Sequence, residues 1–181
     1  MRLYLVRHGK AAAAFAESQD AALDPTGLAQ AAAVAARLAP LGPLPVVSSP
    51  MRRTRETAAP LERLWRRVAR VEPAVSEIPS PGLPMAQRGE WLRGIMASRW
   101  PLLSPELQSW RRALLSTLAS IAESTVIVTH YVAINAAVGA AVGDDRVLIF
   151  GPDNCSVTVL DVEAGGLRLV ERGAEAETQV L

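Results

Sequence analysis

Short apolar runs alternate with helical segments along most of this chain, and this alternation constrains the fold more than any other feature of the sequence. An apolar run of four or five residues is typical of a strand that is covered on both faces of a sheet. We therefore predict six strands, at Leu3–Val6, Pro45–Ser48, Val71–Val75, Thr125–Thr129, Ser156–Val162 and Leu167–Glu171.

Helices are expected between these strands. Asp24 followed by Pro25 predicts an N-cap and a first helical position, and that helix should run to about Leu38. Ser49 followed by Pro50 predicts a second helix start of the same kind. Further helices are indicated over Leu107–Ile121 and Ala133–Val142, whereas residues 79–103 are rich in Pro, Gly and Trp and should be irregular or contain one short helix.

This order of elements predicts a three-layer α/β/α sandwich with a mainly parallel central sheet. The last two strands are joined through Ala164–Gly166, so they should form a hairpin and place antiparallel pairing at one edge. The polar residues from Gly173 onward are expected to fray. We interpret residues 1–181 as a single domain in which residues 78–124 form a helical cap or insertion over the active site.

Composition excludes several classes of protein. Half of the residues are hydrophobic and 20% are charged, which rules out a disordered chain, and the net charge of +1 predicts neither a nucleic-acid nor a membrane partner. One cysteine, Cys155, allows no internal disulfide. The N-terminal apolar run is too short for a signal sequence or a membrane span, so a cytoplasmic location is expected, whereas the oligomeric state is left open.

The chain has only two histidines, His8 and His130, and each falls at the C-terminal end of a predicted strand. The carboxyl ends of parallel strands form the edge where ligands bind in open α/β sheets. Arg7, Arg53 and Glu77 should reach the same edge, as should the amide of Tyr131, which opens a helix that favours an anion at its start.

This set of residues fits a tetrahedral dianion. Guanidinium groups bind phosphate oxygens bidentately, a neutral imidazole can attack phosphorus, and a carboxylic acid can protonate the departing alkoxide. The sequence lacks the glycine-rich loop of nucleotide triphosphatases, and Cys155 is not followed by an arginine six residues later, as cysteine-dependent phosphatases require. No cluster of metal ligands stands out, so we expect phosphate ester hydrolysis without a metal or other cofactor.

Several ordered motifs resemble the histidine phosphatase superfamily, the phosphoglycerate mutase-like group. These motifs are Leu5-Val6-Arg7-His8-Gly9, the helix start at Asp24–Ala31, Ser48-Ser49-Pro50 with Arg53 and Thr57-Ala58, Ser76-Glu77-Ile78, and Val128-Thr129-His130. The resemblance implies that Arg7, His8, Arg53 and His130 form the phosphate pocket and that His8 becomes phosphorylated. It also implies that Glu77 acts as general acid and then as general base, although Glu72 or Glu90 would serve if the register slips.

Other positions depart from the family pattern. Lys10 follows the Arg-His-Gly motif where many relatives have an acidic or amide residue, and Ala14 stands where glycolytic mutases have asparagine. Tyr131-Val132 replaces a glycine pair, and Asn135 replaces a common arginine. Arg52 and Arg55 are expected at the surface, and Trp91, Trp100 and Trp110 belong either to a substrate cap or to the core.

The predicted function is therefore metal-independent phosphomonoester hydrolysis on a small phosphorylated substrate or a phosphohistidine protein. Two alternatives remain open at this point: a phosphoglycerate mutase-type phosphoryl transferase, and a phosphate-binding or scaffold protein without turnover.

Overall fold

A mixed six-stranded sheet forms the centre of the computed structural model, which describes residues 1–14, 17–18, 20–80 and 82–176. Its strands are β1 (Arg2–Arg7), β2 (Val46–Ser48), β3 (Arg70–Val71), β4 (Thr125–Thr129), β5 (Val157–Glu163) and β6 (Gly166–Glu171). Their order across the sheet is β3-β2-β4-β1-β5-β6. The first four of these run parallel, whereas β5 is antiparallel to both β1 and β6.

Helices cover both faces of this sheet, which confirms the predicted three-layer architecture. The helices are α1 (Pro25–Leu38), α2 (Arg52–Trp65), α3 (Met85–Met96), α4 (Pro105–Ala119) and α5 (Tyr131–Val142). Successive side chains of β1 point to opposite faces, so Leu5 packs in the core beneath α4 and α5 while Val6 packs in the core beneath α1 and α2. No helix in the described part of the chain combines the length and the hydropathy needed to cross a membrane.

The helix α1 begins as predicted, because the Asp24 carboxylate accepts a hydrogen bond from the Gly27 amide at 2.7 Å. The start of α2 was predicted wrongly. It lies at Arg52 with Met51 as N-cap, two residues beyond Pro50. The Ser49 hydroxyl accepts a hydrogen bond from the Met51 amide at 3.3 Å and also lies 2.8 Å from the His130 ring. A local N-cap signal cannot reveal that the same hydroxyl also contacts a residue 81 positions away.

Three other predicted elements differ in extent. The third strand has only two residues, because Pro73 has no N–H to give to a sheet and begins a 3₁₀ turn that runs to Val75. Residues 79–103 contain the three-turn helix α3. The tail expected to fray is paired over residues 173–176: the Asp153 amide donates to the Ala174 carbonyl at 2.8 Å, and the Ala176 amide donates to the Gly151 carbonyl at 2.9 Å.

The segment 78–124 divides between two environments. Helix α3 places Leu92 and Met96 on the wall of a cavity at the carboxyl edge of the sheet. Helix α4 packs against α5, with Leu107, Leu114 and Leu118 buried in the core.

Candidate active site

A cavity of about 350 Å³ opens at the carboxyl edge of the parallel strands. Its floor carries five of the six residues predicted as site residues, Arg7, His8, Arg53, Glu77 and Tyr131. These residues come from β1, from the segments after β1 and β3, and from the first turns of α2 and α5. The parallel topology thus brings together side chains that lie more than 120 positions apart in the chain.

The sixth predicted residue, His130, lies directly behind this floor. Its side chain is fully buried, and its ring centroid is 5.3 Å from that of His8, with the two planes at 64°. The Nδ1 atom of His130 is 3.3 Å from the Arg53 guanidinium, and its Nε2 atom is 2.8 Å from the Ser49 hydroxyl. The two imidazoles therefore form one cluster.

The backbone around His8 holds its ring in one orientation. The Nδ1 atom is 2.8 Å from the Gly9 carbonyl, which can only accept a hydrogen bond, so Nδ1 carries the proton and Nε2 keeps its lone pair. The amide of Gly9 donates to Thr57 Oγ1 at 3.0 Å. A side chain at position 9 would have no room, because its Cβ would come within 2.7 Å of the Gly27 carbonyl oxygen.

The environment keeps His8 neutral. Burial lowers the pKa of His8, the positive charges of Arg53 and Arg7 lower it further, and the resulting value is about 3. The pKa of His130 is also lowered, first by burial and then by His8 and the same two arginines. A neutral ring with a free Nε2 is the form of histidine that can act as a nucleophile.

Two buried guanidinium groups supply the positive charge of the site. Arg7 is 4% exposed and Arg53 is 7% exposed. Arg7 donates to the Pro152 carbonyl at 2.8 Å and lies 5.0 Å from the centre of the Tyr131 ring, which fixes its position from both sides. Within this protected cavity, the two groups can neutralise a bound phosphate more strongly than they would in water.

Glu77 is held at the N-terminus of α5. Its carboxylate accepts hydrogen bonds from the Val132 amide at 3.2 Å and from the Ile78 amide at 2.9 Å. Burial raises the pKa of Glu77 above its ordinary value, although these two amides and the arginines partly oppose that rise. A carboxyl group with a raised pKa can hold a proton and donate it, which is the property of a general acid.

The alternative carboxylates lie elsewhere. Glu72 caps the 3₁₀ turn through the Ala74 amide and pairs with Arg70 at 2.7 Å. Neither Glu72 nor Glu90 is among the described residues that line the cavity. Among the neighbouring arginines, Arg52 pairs with Glu56 at 2.7 Å, and Arg55 is exposed on α2.

Two residues at the site were missed by sequence reasoning. Asn154 lines the cavity and donates through Nδ2 to the His8 carbonyl at 2.9 Å, across 146 positions of sequence. Ser49 is the partner of His130; the sequence suggested it as a helix cap and as part of a family motif, without a role at the site. Asn135, which replaces an arginine of the family pattern, is buried and accepts from the Ile149 and Phe150 amides, so it holds a loop and does not line the cavity.

The N-terminal part of the chain matches the model of a known protein family. Residues 3–83 match the model of the histidine phosphatase superfamily, branch 1. A search of curated protein sequences gave no match.

Solved structures resemble nearly the whole chain. A mycobacterial glucosyl-3-phosphoglycerate phosphatase in complex with VO3 is 25% identical, with 96% of this chain and 99% of that chain covered and a TM-score of 0.72. A protein described as mycobacterial hydrolase 1 is 24% identical, with coverage of 97% and 99% and a TM-score of 0.76. The fold is also shared with an Entamoeba histolytica phosphoserine phosphatase in complex with 3-phosphoglyceric acid, which is 19% identical, with 96% of each chain covered and a TM-score of 0.75.

Proposed function

We propose that the chain belongs to the histidine phosphatase superfamily and that it is a metal-independent phosphomonoesterase that works through a phosphohistidine on His8. The observation that carries this proposal is the neutral His8 ring, with Nδ1 committed to the Gly9 carbonyl and Nε2 left to react, beside two buried guanidinium groups. A small phosphorylated molecule or a phosphohistidine protein would be the substrate.

In the first step, the Nε2 lone pair of His8 forms a bond to phosphorus and the bond from phosphorus to the ester oxygen breaks. Arg7 and Arg53 neutralise the equatorial oxygens, which is the main contribution a protein makes to phosphoryl transfer. Glu77 gives its proton to the departing oxygen, so the alcohol leaves neutral.

In the second step, the Glu77 carboxylate takes a proton from water as the water oxygen attacks phosphorus. The bond from phosphorus to Nε2 breaks and its electron pair returns to the ring, which releases inorganic phosphate. His130, placed between Ser49 and Arg53, would orient the Arg53 guanidinium, because its Nδ1 accepts from that group while its Nε2 donates to the Ser49 hydroxyl.

The first prediction tests the nucleophile. His8→Ala should lower turnover of phenyl phosphate by about four orders of magnitude or more, since loss of a covalent nucleophile removes the whole two-step path. The assay contains a chelator, and circular dichroism checks that the variant is folded. Wild-type protein quenched during turnover of ³²P-labelled substrate should carry acid-labile, base-stable label, and His8→Ala should carry none.

The same experiment separates the alternatives. Unchanged turnover in His8→Ala would contradict the mechanism. Labelled wild-type protein that transfers the group to added acceptor, without releasing inorganic phosphate, would indicate a mutase. Tight vanadate binding without label or turnover would indicate a phosphate-binding protein.

A further inference from the structure

The outer part of the cavity, above the phosphate-binding floor, has a distinct composition. One wall is the segment after the nucleophile, where Ala11–Ala14 line the opening. The opposite wall is formed by Leu92 and Met96, which lie four residues apart and therefore on the same face of α3. Tyr131 and Val132 lie between the two walls. A leaving group attached to the bound phosphate would extend between these mainly apolar surfaces.

The charged groups at the rim already have partners. Lys10 pairs with Asp24 at 3.2 Å, and the Glu17 carboxylate accepts a hydrogen bond from the Ala14 amide at 3.0 Å. The rim has a net charge of −1, the sum of the charges of Lys10, Asp24 and Glu17. A second anionic group on the substrate would lie near this negative rim. Among the described residues that line the cavity, the cation at the rim is Lys10, which already pairs with Asp24.

The remaining cations of the cavity belong to the floor. Arg7 is anchored by Pro152, and Arg53 is in contact with His130. In the proposed mechanism both bind the transferring phosphate. Arg88 is close enough to Arg53 to lower its pKa, but its guanidinium donates to Ser80 at 2.7 Å, and it is not among the described residues that line the cavity.

From this distribution we infer that the site selects phosphomonoesters whose leaving group is uncharged and largely apolar, and disfavours esters that carry a second anion. The inference rests on the proposed phosphatase function and adds the chemical class of the leaving group. Leu92 and Met96 are the specificity-determining residues of the wall. Methionine suits this role because its flexible thioether side chain adapts to apolar groups of different shape.

The test uses phenyl phosphate and 4-carboxyphenyl phosphate, which differ by one carboxylate and have leaving groups of similar acidity. We expect kcat/KM of the wild-type protein to be higher for phenyl phosphate by about tenfold, as for a partly desolvated charge without a partner. Met96→Lys places a cation on the wall and should raise the relative rate for the carboxylated ester at least about fivefold. Leu102→Lys is the matched control, because Leu102 is 77% exposed and lies outside the cavity, and it should leave the ratio unchanged.

Each outcome decides one of the two proposals. If both esters are hydrolysed with equal kcat/KM, the phosphatase function stands and the inferred selectivity is overturned. If Lys10→Met selectively lowers hydrolysis of the carboxylated ester, then Lys10 receives the second anion and the inference is again overturned. If neither ester is hydrolysed and no phosphoenzyme forms, it is the proposed function that fails.

Discussion

Arg53 and Arg55 lie two positions apart on α2, and the direction of their side chains gives them different environments. Arg53 is buried at the floor of the cavity beside His130. Arg55 is exposed and lies in a separate surface groove with Glu56 and Glu62. The two arginines therefore allow a proposed phosphate contact to be compared with a surface charge on the same helix.

We expect Arg53→Ala to lower kcat/KM for phenyl phosphate by about 100-fold or more, the usual cost of removing one preorganised group that stabilises transition-state charge. Arg55→Ala should stay within about threefold of wild type. Steady-state kinetics of the two variants, with circular dichroism to check folding, makes the comparison. A loss below threefold in Arg53→Ala would show that another residue binds the phosphate.

The residues of the site differ in whether the sequence alone could predict their position. Arg7, His8 and His130 lie at the ends of apolar strands, so the strand ends alone predicted that they meet at one edge. Asn154 has no such marker, since its contact with the His8 carbonyl depends on how β5 returns beside β1. Ser49 precedes a proline, and this pair predicts a helix N-cap. The contact of its hydroxyl with His130 depends on tertiary structure, so the local pattern does not indicate it.

At the scale of elements, the strand that needs most correction is β3. The apolar residues to Val75 suggested five residues of strand, yet Pro73 ends the pairing and Val75 turns into the core. This early ending matters for the site. It lets Thr129 donate its hydroxyl to the Val75 carbonyl at 2.6 Å, and it places Glu77 beside the N-terminus of α5.

The C-terminal segment 173–176 is a second element with a consequence for the site. It pairs with residues 151–153, and this loop supplies the Pro152 carbonyl that anchors Arg7. Asn154, the next residue, anchors the His8 carbonyl. The segment therefore contacts the loop that holds Arg7 and His8, the proposed phosphate-binding arginine and the proposed nucleophile.

A chain that ends at Arg172 should consequently bind orthovanadate at least about tenfold more weakly than the full chain, because small displacements of positioning groups have large effects at a reacting centre. A chain that ends at Ala176 is the matched control and should bind as the full chain does, since all the described pairs are retained. Isothermal titration measures both affinities. Equal affinity in the two shortened chains would show that Arg7 does not depend on this segment.

At the scale of the whole molecule, the topology accounts for most of what the sequence predicted. Strands β2, β4 and β1 are adjacent and parallel, so any side chain just beyond their carboxyl ends must meet at one edge. The walls above that edge were not predictable in the same way. Helix α3 has no buried residue and only weak periodicity, so its position over the cavity depends on tertiary contacts that a single sequence does not display.

The buried cluster around His8 should also make the stability of the molecule depend on pH. An imidazole with a pKa of about 3 in the folded protein and an ordinary value of 6.5 when unfolded binds a proton more readily in the unfolded state. Stability is then lost as the pH falls below 6.5, and His130 acts in the same direction. Glu77 acts in the opposite direction, because a raised pKa stabilises the folded protein as the pH falls toward the ordinary value of 4.5.

The opposite effects of His8 and Glu77 on the pH dependence of stability can be separated by urea unfolding at pH 7 and pH 5, in buffer without phosphate. Replacing His8 by Asn should reduce the loss of unfolding free energy between the two pH values by about 2 kcal/mol, the amount expected for one histidine that stays neutral over this range. Replacing Glu77 by Gln should increase the same loss, because its compensating proton uptake disappears. An Arg55→Ala control should follow wild type. If the His8 variant loses as much stability as wild type, then His8 is already protonated in the folded protein at pH 5, and the neutral nucleophile on which the mechanism depends is absent there.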